Sequence, residues 1–198
     1  MQKLQLGCGV SIKKGWINTD GFPEDIRTEE IRKQVSKLDV TERFIATHNS
    51  FDYIYSEHMI EHITYDEGIF MLKECFQLLK PKGVLRIATP DILKIIGLYI
   101  NTPDTEEYIK FITDKFLDTD EYSANKVVNN AFRAWGHKFL YDINTLINSG
   151  KIAGFSSSCI CKYGVSAHKE LRNLEVHGKN IKNENVAIYE TMIVEFTK

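Results

Sequence analysis

Leu4-Gln5-Leu6-Gly7-Cys8-Gly9 runs an apolar strand straight into a Gly-x-Gly turn, which is how a nucleotide-binding α/β domain begins. Glycines at Gly7 and Gly9 let the backbone turn sharply and let a ligand approach where a Cβ would collide. A dinucleotide fingerprint needs a third glycine at position 12 and an acid about 20 residues further on. Position 12 is Ile12, and the acid comes early, at Asp20, closing the short apolar segment Trp16-Ile17-Asn18-Thr19-Asp20. That spacing suits a mononucleoside ligand without pyrophosphate.

Outward from this stretch, strand and helix patterns alternate, which implies a parallel sheet. Glu24 to Lys37, with Ile26, Ile31 and Val35 as its sparse apolar positions, reads as a surface helix, and Leu38-Asp39-Val40 as a short third strand. Phe51 to Tyr55 is a fourth strand. Thr64 and Glu67 form a capping box ahead of Ile69, Leu72, Phe76 and Leu79 at helical spacing, with Pro81 and Gly83 as the stop. Val84 to Thr89 reads as a central strand broken by Pro90-Asp91. From Ile92 to Trp135 the chain is mostly helical in pattern, interrupted at Asn101-Thr102-Pro103, and longer than a strand connection requires, which predicts an inserted helical lid over about residues 92–141. Asp142 to Gly150 reads as a short helix closed by glycine, and Phe155 to Tyr163 and Val186 to Phe196 as two strands.

A length of 198 residues with 43% hydrophobic content suits one α/β domain around a single core. A net charge of −2 without a lysine or arginine run argues against a nucleic-acid partner. No apolar run approaches the roughly 18 residues that span a bilayer, and the first strand begins at once, so a cytoplasmic protein without membrane association is expected, as monomer or homodimer. Cys8, Cys75, Cys159 and Cys161 show neither a disulfide framework nor Cys-x-x-Cys metal spacing. Cys159 and Cys161 share one face of a strand and read as a half-buried strand face.

The ordered set of Leu4 to Gly9, Gly15 to Asp20, Ser50 to His62 and Leu79 to Leu85 resembles the class I S-adenosylmethionine-dependent methyltransferases, in particular small bacterial ones with Leu-x-Leu-Gly-Cys-Gly and Gly-Trp-x-Asn-x-Asp. The resemblance implies a Rossmann-like, doubly wound, mostly parallel seven-stranded sheet with a C-terminal antiparallel strand and a helical insertion after strand five. It also implies S-adenosylmethionine as cofactor, with Leu6, Gly7, Cys8, Gly9, Asp20, Asp39, Val40, Ser56 and Glu57 around it. In such enzymes a carboxylate at Asp39's position bonds the adenine amine. The chain departs from the family's Gly-x-Gly-x-Gly at Ser11, which stands where the third glycine falls.

A carboxylate such as Asp20 can accept from both ribose hydroxyls, although a strand-end turn aspartate reads the same way. Asp39, in Asp-Val-Thr, equally fits a turn or helix N-cap. Open parallel sheets bind ligands beyond the carboxyl ends of their strands, so Ser56-Glu57-His58 is expected near the transferred methyl. His58 and His62, like Glu57 and Glu61, are four apart and would share a face on a helical turn. Met59 occupies the position where a zinc protease motif has glutamate, and no third ligand is evident, so no metal is expected. Helix-start histidines and substrate contacts both fit the pair. His137, among the aromatics of Trp135-Gly136-His137-Lys138-Phe139-Leu140-Tyr141, is the third candidate to serve an acceptor's proton. These readings point to methyl transfer onto a small molecule, expected at an oxygen of a sugar or polysaccharide precursor, with phosphate-like or carboxylate oxygens also open. A nicotinamide oxidoreductase and a catalytically silent nucleoside-binding module are the rival readings.

Overall fold

Seven strands, β1 (Lys3–Leu6), β2 (Ile17–Asp20), β3 (Val35–Lys37), β4 (Phe51–Glu57), β5 (Leu79–Pro90), β6 (Ser157–Cys161) and β7 (Thr191–Thr197), make one sheet in the computed structural model, which describes residues 1–198. Their order is β3-β2-β1-β4-β5-β7-β6, with β1 to β5 parallel and β7 antiparallel to both its neighbours. This is the Rossmann-like, mostly parallel sheet expected from the sequence.

The helices are α1 (Glu29–Arg32), α2 (Tyr65–Leu78), α3 (Ile92–Ile96), α4 (Pro103–Phe116), α5 (Ala124–Arg133), α6 (Ile143–Ala153), α7 (His177–Ile181) and α8 (Glu184–Glu190). In α2 both arms of the capping box form, Glu67 N–H donating to Thr64 Oγ1 at 3.3 Å and Thr64 N–H to Glu67 Oε2 at 2.7 Å. Its apolar stripe, with Met71, Leu72, Cys75 and Leu78 buried, joins Leu4, Leu6, Ile54, Leu85 and Val194 of the sheet in the main core.

Several boundaries differ from the sequence reading: β5 begins at Leu79, so that Pro81 and Gly83 lie within it, β4 runs on to Glu57, and β6 is confined to Ser157–Cys161. The segment from Glu24 to Lys37 does not form one helix, because its apolar positions are too few to make a stripe. It gives a 3₁₀ turn, the four-residue α1, and then β3, three residues earlier than expected. Val186 does not begin a strand but lies in the first turn of α8, whose N-cap Asn183 Oδ1 accepts from Val186 N–H at 3.1 Å. The strand starts only at Thr191. Helix α6 runs past Gly150 to Ala153. Gly150 is a packing site: a Cβ there would stand 2.2 Å from Phe196 Cε1 of β7.

The lid forms as α3, α4 and α5, with a small core of its own in which Ile95, Tyr108, Ile112 and Val127 pack with Val186 of α8. The insertion after β5 and the β6–β7 connection therefore cover the carboxyl end of the sheet together. The connection is tied down by a buried ion cluster. Arg86 of β5 donates to Glu175 at 2.7 Å and to Glu195 at 2.6 Å. Cys159 is exposed and Cys161 half-buried on the outer strand β6. No helix is long and apolar enough to cross a membrane.

Candidate active site

After β1 the chain turns through Gly7 at φ +59° and Gly9 at φ +50°, both in the left-handed region. A Cβ on Gly7 would lie 2.4 Å from Met59 Cγ, so that position admits no side chain. A Cβ on Gly9 would meet nothing within 4 Å. Its backbone borders a cavity of about 250 Å³ between the loop and Gln5, Glu57, His58, His177 and Asn180. Ser11, at the family's third glycine, accepts from Asn180 Nδ2 at 3.0 Å and so joins the loop to α7.

Asp20 Oδ2 accepts from Gly9 N–H at 2.9 Å and Oδ1 from Phe22 N–H at 3.0 Å. The carboxylate therefore braces the glycine loop and its own turn, and each oxygen keeps a second lone pair. Asp39 Oδ1 accepts from both the hydroxyl and the N–H of Thr41, at 2.7 and 2.8 Å, which holds its carboxyl below the usual range. These are the contacts of a turn, and Oδ2 is left for other partners. Leu6 and Val40 bury their side chains in the main core, so only their backbone can face a ligand. Cys8 is a neutral thiol, pushed by burial up to about 11. Ser56 Oγ, at the end of β4, is buried without a partner.

Glu57 does something the sequence does not show. Its Oε1 accepts from the N–H groups of Val176 and His177 at 2.9 Å each, and Oε2 from Val176 at 3.1 Å. It thereby clamps the β6–β7 connection over the loop cavity. Burial nonetheless raises its pKa.

His58 and His62 do not share a helical face. His58 takes φ +45°, an uncommon conformation for a residue with a Cβ, and the turn of Ile60–His62 is 3₁₀. The His58 Nε2 atom is 3.1 Å from Thr191 Oγ1, and burial pushes its pKa well below the usual value, so the ring is neutral. It stacks on His177, whose Nε2 is 3.0 Å from Glu190 Oε1. Tyr108 of the lid donates to the other oxygen of Glu190 at 2.6 Å. His62 meets His137 edge to face, ring centroids 5.0 Å apart. His137 Nδ1 is 2.7 Å from the Ala131 carbonyl, which only accepts, so the proton sits on Nδ1 and the Nε2 lone pair is free. Burial lowers the pKa of both rings. Glu61 is fully buried, pushed by that burial up to about 7, with Oε2 accepting from Thr89 at 2.9 Å.

These groups line a second cavity of about 330 Å³, walled by Phe111, Phe116 and Trp135 of the lid. No lysine or arginine is among its lining residues. His58 and His177 line both cavities. A larger groove of about 730 Å³ between α4, α8 and the β6–β7 edge contains none of the loop or histidine residues. Sequence reasoning missed Glu61, His177 and Glu190 as site residues. For Glu61 the signal was its place beside His62; for His177 and Glu190 there was none, because only the fold brings them to His58.

Residues 4–87 match the family model described as a methyltransferase domain. No curated protein matches this chain's sequence. Among solved structures, the fold is similar to an S-adenosylmethionine-dependent methyltransferase from Mesorhizobium loti, at 14% identity and a TM-score of 0.59 over 100% of this chain and 90% of that one. It is similar also to one from Archaeoglobus fulgidus, at 17% identity and a TM-score of 0.54 over 100% and 86%. A third, from Thermotoga maritima, gives 17% and 0.55 over 100% and 82%.

Proposed function

We infer that this chain, whose residues 4–87 match the methyltransferase domain model and whose fold is similar to that of S-adenosylmethionine-dependent methyltransferases, transfers a methyl group from S-adenosylmethionine to a small-molecule acceptor. One observation carries the reading: the glycine-loop cavity and the aromatic-walled pocket meet at His58 and His177.

The residues fit the cofactor. The open backbone at Gly9 leaves room for it, and Asp20, bonded to the Gly9 N–H, keeps lone pairs that suit the ribose hydroxyls. Gln5 Oε1, buried without a partner beside the loop, and the Glu57 carboxylate suit the ammonium of its amino-acid tail. The cofactor supplies a methyl group on a positively charged sulfur. The chain contributes alignment of nucleophile, methyl and sulfur, and positioning of this kind is worth about 7–11 kcal/mol. Phe111, Phe116 and Trp135 provide flat apolar walls for the acceptor, while Glu61 and Glu190 accept from its hydroxyls. With Glu61 and Glu190 and neither lysine nor arginine among its own side chains, the pocket suits a neutral hydroxyl acceptor such as a sugar better than a phosphate or carboxylate. His58, His62 and His137 are the groups proposed to engage that hydroxyl.

The test is ligand-dependent unfolding, since a ligand at 100 times its dissociation constant adds about 2.7 kcal/mol. Adenosylmethionine and adenosylhomocysteine are expected to raise Tm, and Asp20→Ala to abolish most of that rise. Nicotinamide dinucleotides are expected to leave Tm unchanged. Stabilisation by the dinucleotides alone would replace methyl transfer by hydride transfer. Nucleoside binding without formation of adenosylhomocysteine from a panel of hydroxylated acceptors would point to a silent binding module.

A further inference from the structure

We propose that Glu61, His62 and His137 bind a divalent first-row transition metal ion at the floor of the acceptor pocket. The ligand atoms these three residues offer lie within 4.8 Å of one another, and all three residues line the pocket. Two imidazole nitrogens and one carboxylate oxygen form a donor set that such ions take while keeping coordination positions open. Donors on one tetrahedral ion at about 2.0–2.2 Å stand roughly 3.3–3.6 Å apart, so the three side chains close in on binding.

Each donor is aimed and left available. His137 gives its Nδ1–H to the Ala131 carbonyl and keeps Nε2. The His62 ring meets that of His137 edge to face, centroids 5.0 Å apart. A histidine whose second ring N–H goes to a backbone carbonyl is the usual arrangement of a metal ligand. Glu61 is the independent observation. Its Oε2 is occupied by Thr89, whereas Oε1 is buried with no hydrogen-bond partner, His58 Nδ1 lying 3.4 Å away outside bonding geometry. A buried carboxylate oxygen without a partner is costly, and a cation between it and two neutral imidazoles removes that cost.

The neighbouring group of His58, His177 and Glu190 has the same composition and similar reach. Its donors are already engaged: His177 with Glu190, His58 with Thr191, and Glu190 also with Tyr108. That group is a hydrogen-bonded wall, not a second metal site.

An ion held by Glu61, His62 and His137 would engage the acceptor's hydroxyl in their place, so that these groups act on it through the metal and not directly. It would make the loss of the hydroxyl proton to solvent easier. The oxygen–carbon bond then forms as the carbon–sulfur bond breaks, and the sulfonium leaves as a neutral thioether. Only this role rests on the methyl-transfer reading, since metal binding itself does not require it.

The experiment titrates full-length, chelator-treated protein with Co²⁺, read by its visible absorption, with Zn²⁺ as competitor and adenosylhomocysteine affinity measured on the same samples. One equivalent is expected to bind. Affinity is expected to fall at least about tenfold in His62→Ala and His137→Ala and to persist in His177→Ala. The near-isosteric Glu61→Gln covers the case in which an alanine variant does not fold, and is expected to show the same loss. Absence of saturable Co²⁺ binding to the wild type, or equal loss in His177→Ala, would overturn the site. Cobalt binding without adenosylhomocysteine binding would overturn the cofactor reading and leave the metal site intact.

Discussion

The imidazole rings of His58 and His177 lie almost parallel, 3.7 Å between centroids and 12° between planes, and together they divide the loop cavity from the acceptor pocket. One ring comes from the end of β4, the other from the first residue of α7, and Glu57 holds the second in place by accepting from its backbone N–H. On the proposed function, a methyl group passing from one cavity to the other would cross beside this stack. His177→Ala removes half the partition without touching the glycine loop. Turnover is expected to fall about tenfold or more, equivalent to ~1.4 kcal/mol of barrier, with cofactor affinity changing much less. Steady-state kinetics beside calorimetric binding of adenosylhomocysteine decide it; equal losses in both would place His177 with the cofactor alone.

Gly7 and Gly9 are both left-handed, yet substitution is expected to separate them. Alanine at either bears the conformational cost of about 1–2 kcal/mol. At Gly7 the added Cβ also meets Met59 Cγ and Cβ, at 2.4 and 2.9 Å, whereas at Gly9 it meets open space. Gly7→Ala should therefore be clearly less stable in urea unfolding than Gly9→Ala. Gly9→Ala should fold and lose adenosylhomocysteine affinity, because the methyl group would project into the cavity proposed for the ligand. Wild-type affinity in folded Gly9→Ala would move the cofactor away from this loop.

How far the sequence discloses such a site depends on the range of the interactions that build it. The Gly7–Gly9 turn, Asp20 and the Thr64–Glu67 box are local, so their spacing alone reveals them. The strand β3 is misplaced by a few residues because Val35–Lys37 offers one apolar side chain to a sheet edge, too little for period two to register. Val186 and Ile188 alternate like a strand but sit on α8, where Val186 fills the lid's core and Asn183 supplies the cap. Glu61 beside His62 is visible, but its link to His137 requires the whole lid to fold back. His177 and Glu190 belong to a connection whose path is fixed by Glu57 and Arg86, partners too distant in sequence for any pattern to join.

The side chain of Arg86 is fully buried between Glu175 and Glu195, and it also donates to the Val165 carbonyl at 3.0 Å. Glu175 in turn accepts from Gly164 N–H at 3.0 Å and directly precedes Val176 and His177, whose N–H groups Glu57 holds. The ion cluster is therefore the anchor from which the β6–β7 connection reaches over the cofactor cavity. Removing one partner of such a buried set leaves uncompensated charge and typically costs about 3–5 kcal/mol. Arg86→Met, which keeps volume and removes the cation, is expected to lose stability of that order in urea unfolding. Hydrogen exchange should localise the effect: amides from residues 164 to 177 should exchange faster while those of β1 and β4 keep their protection, and adenosylhomocysteine should bind more weakly. Uniform acceleration across the sheet, with affinity per folded molecule unchanged, would make Arg86 a core residue with no hold on the site.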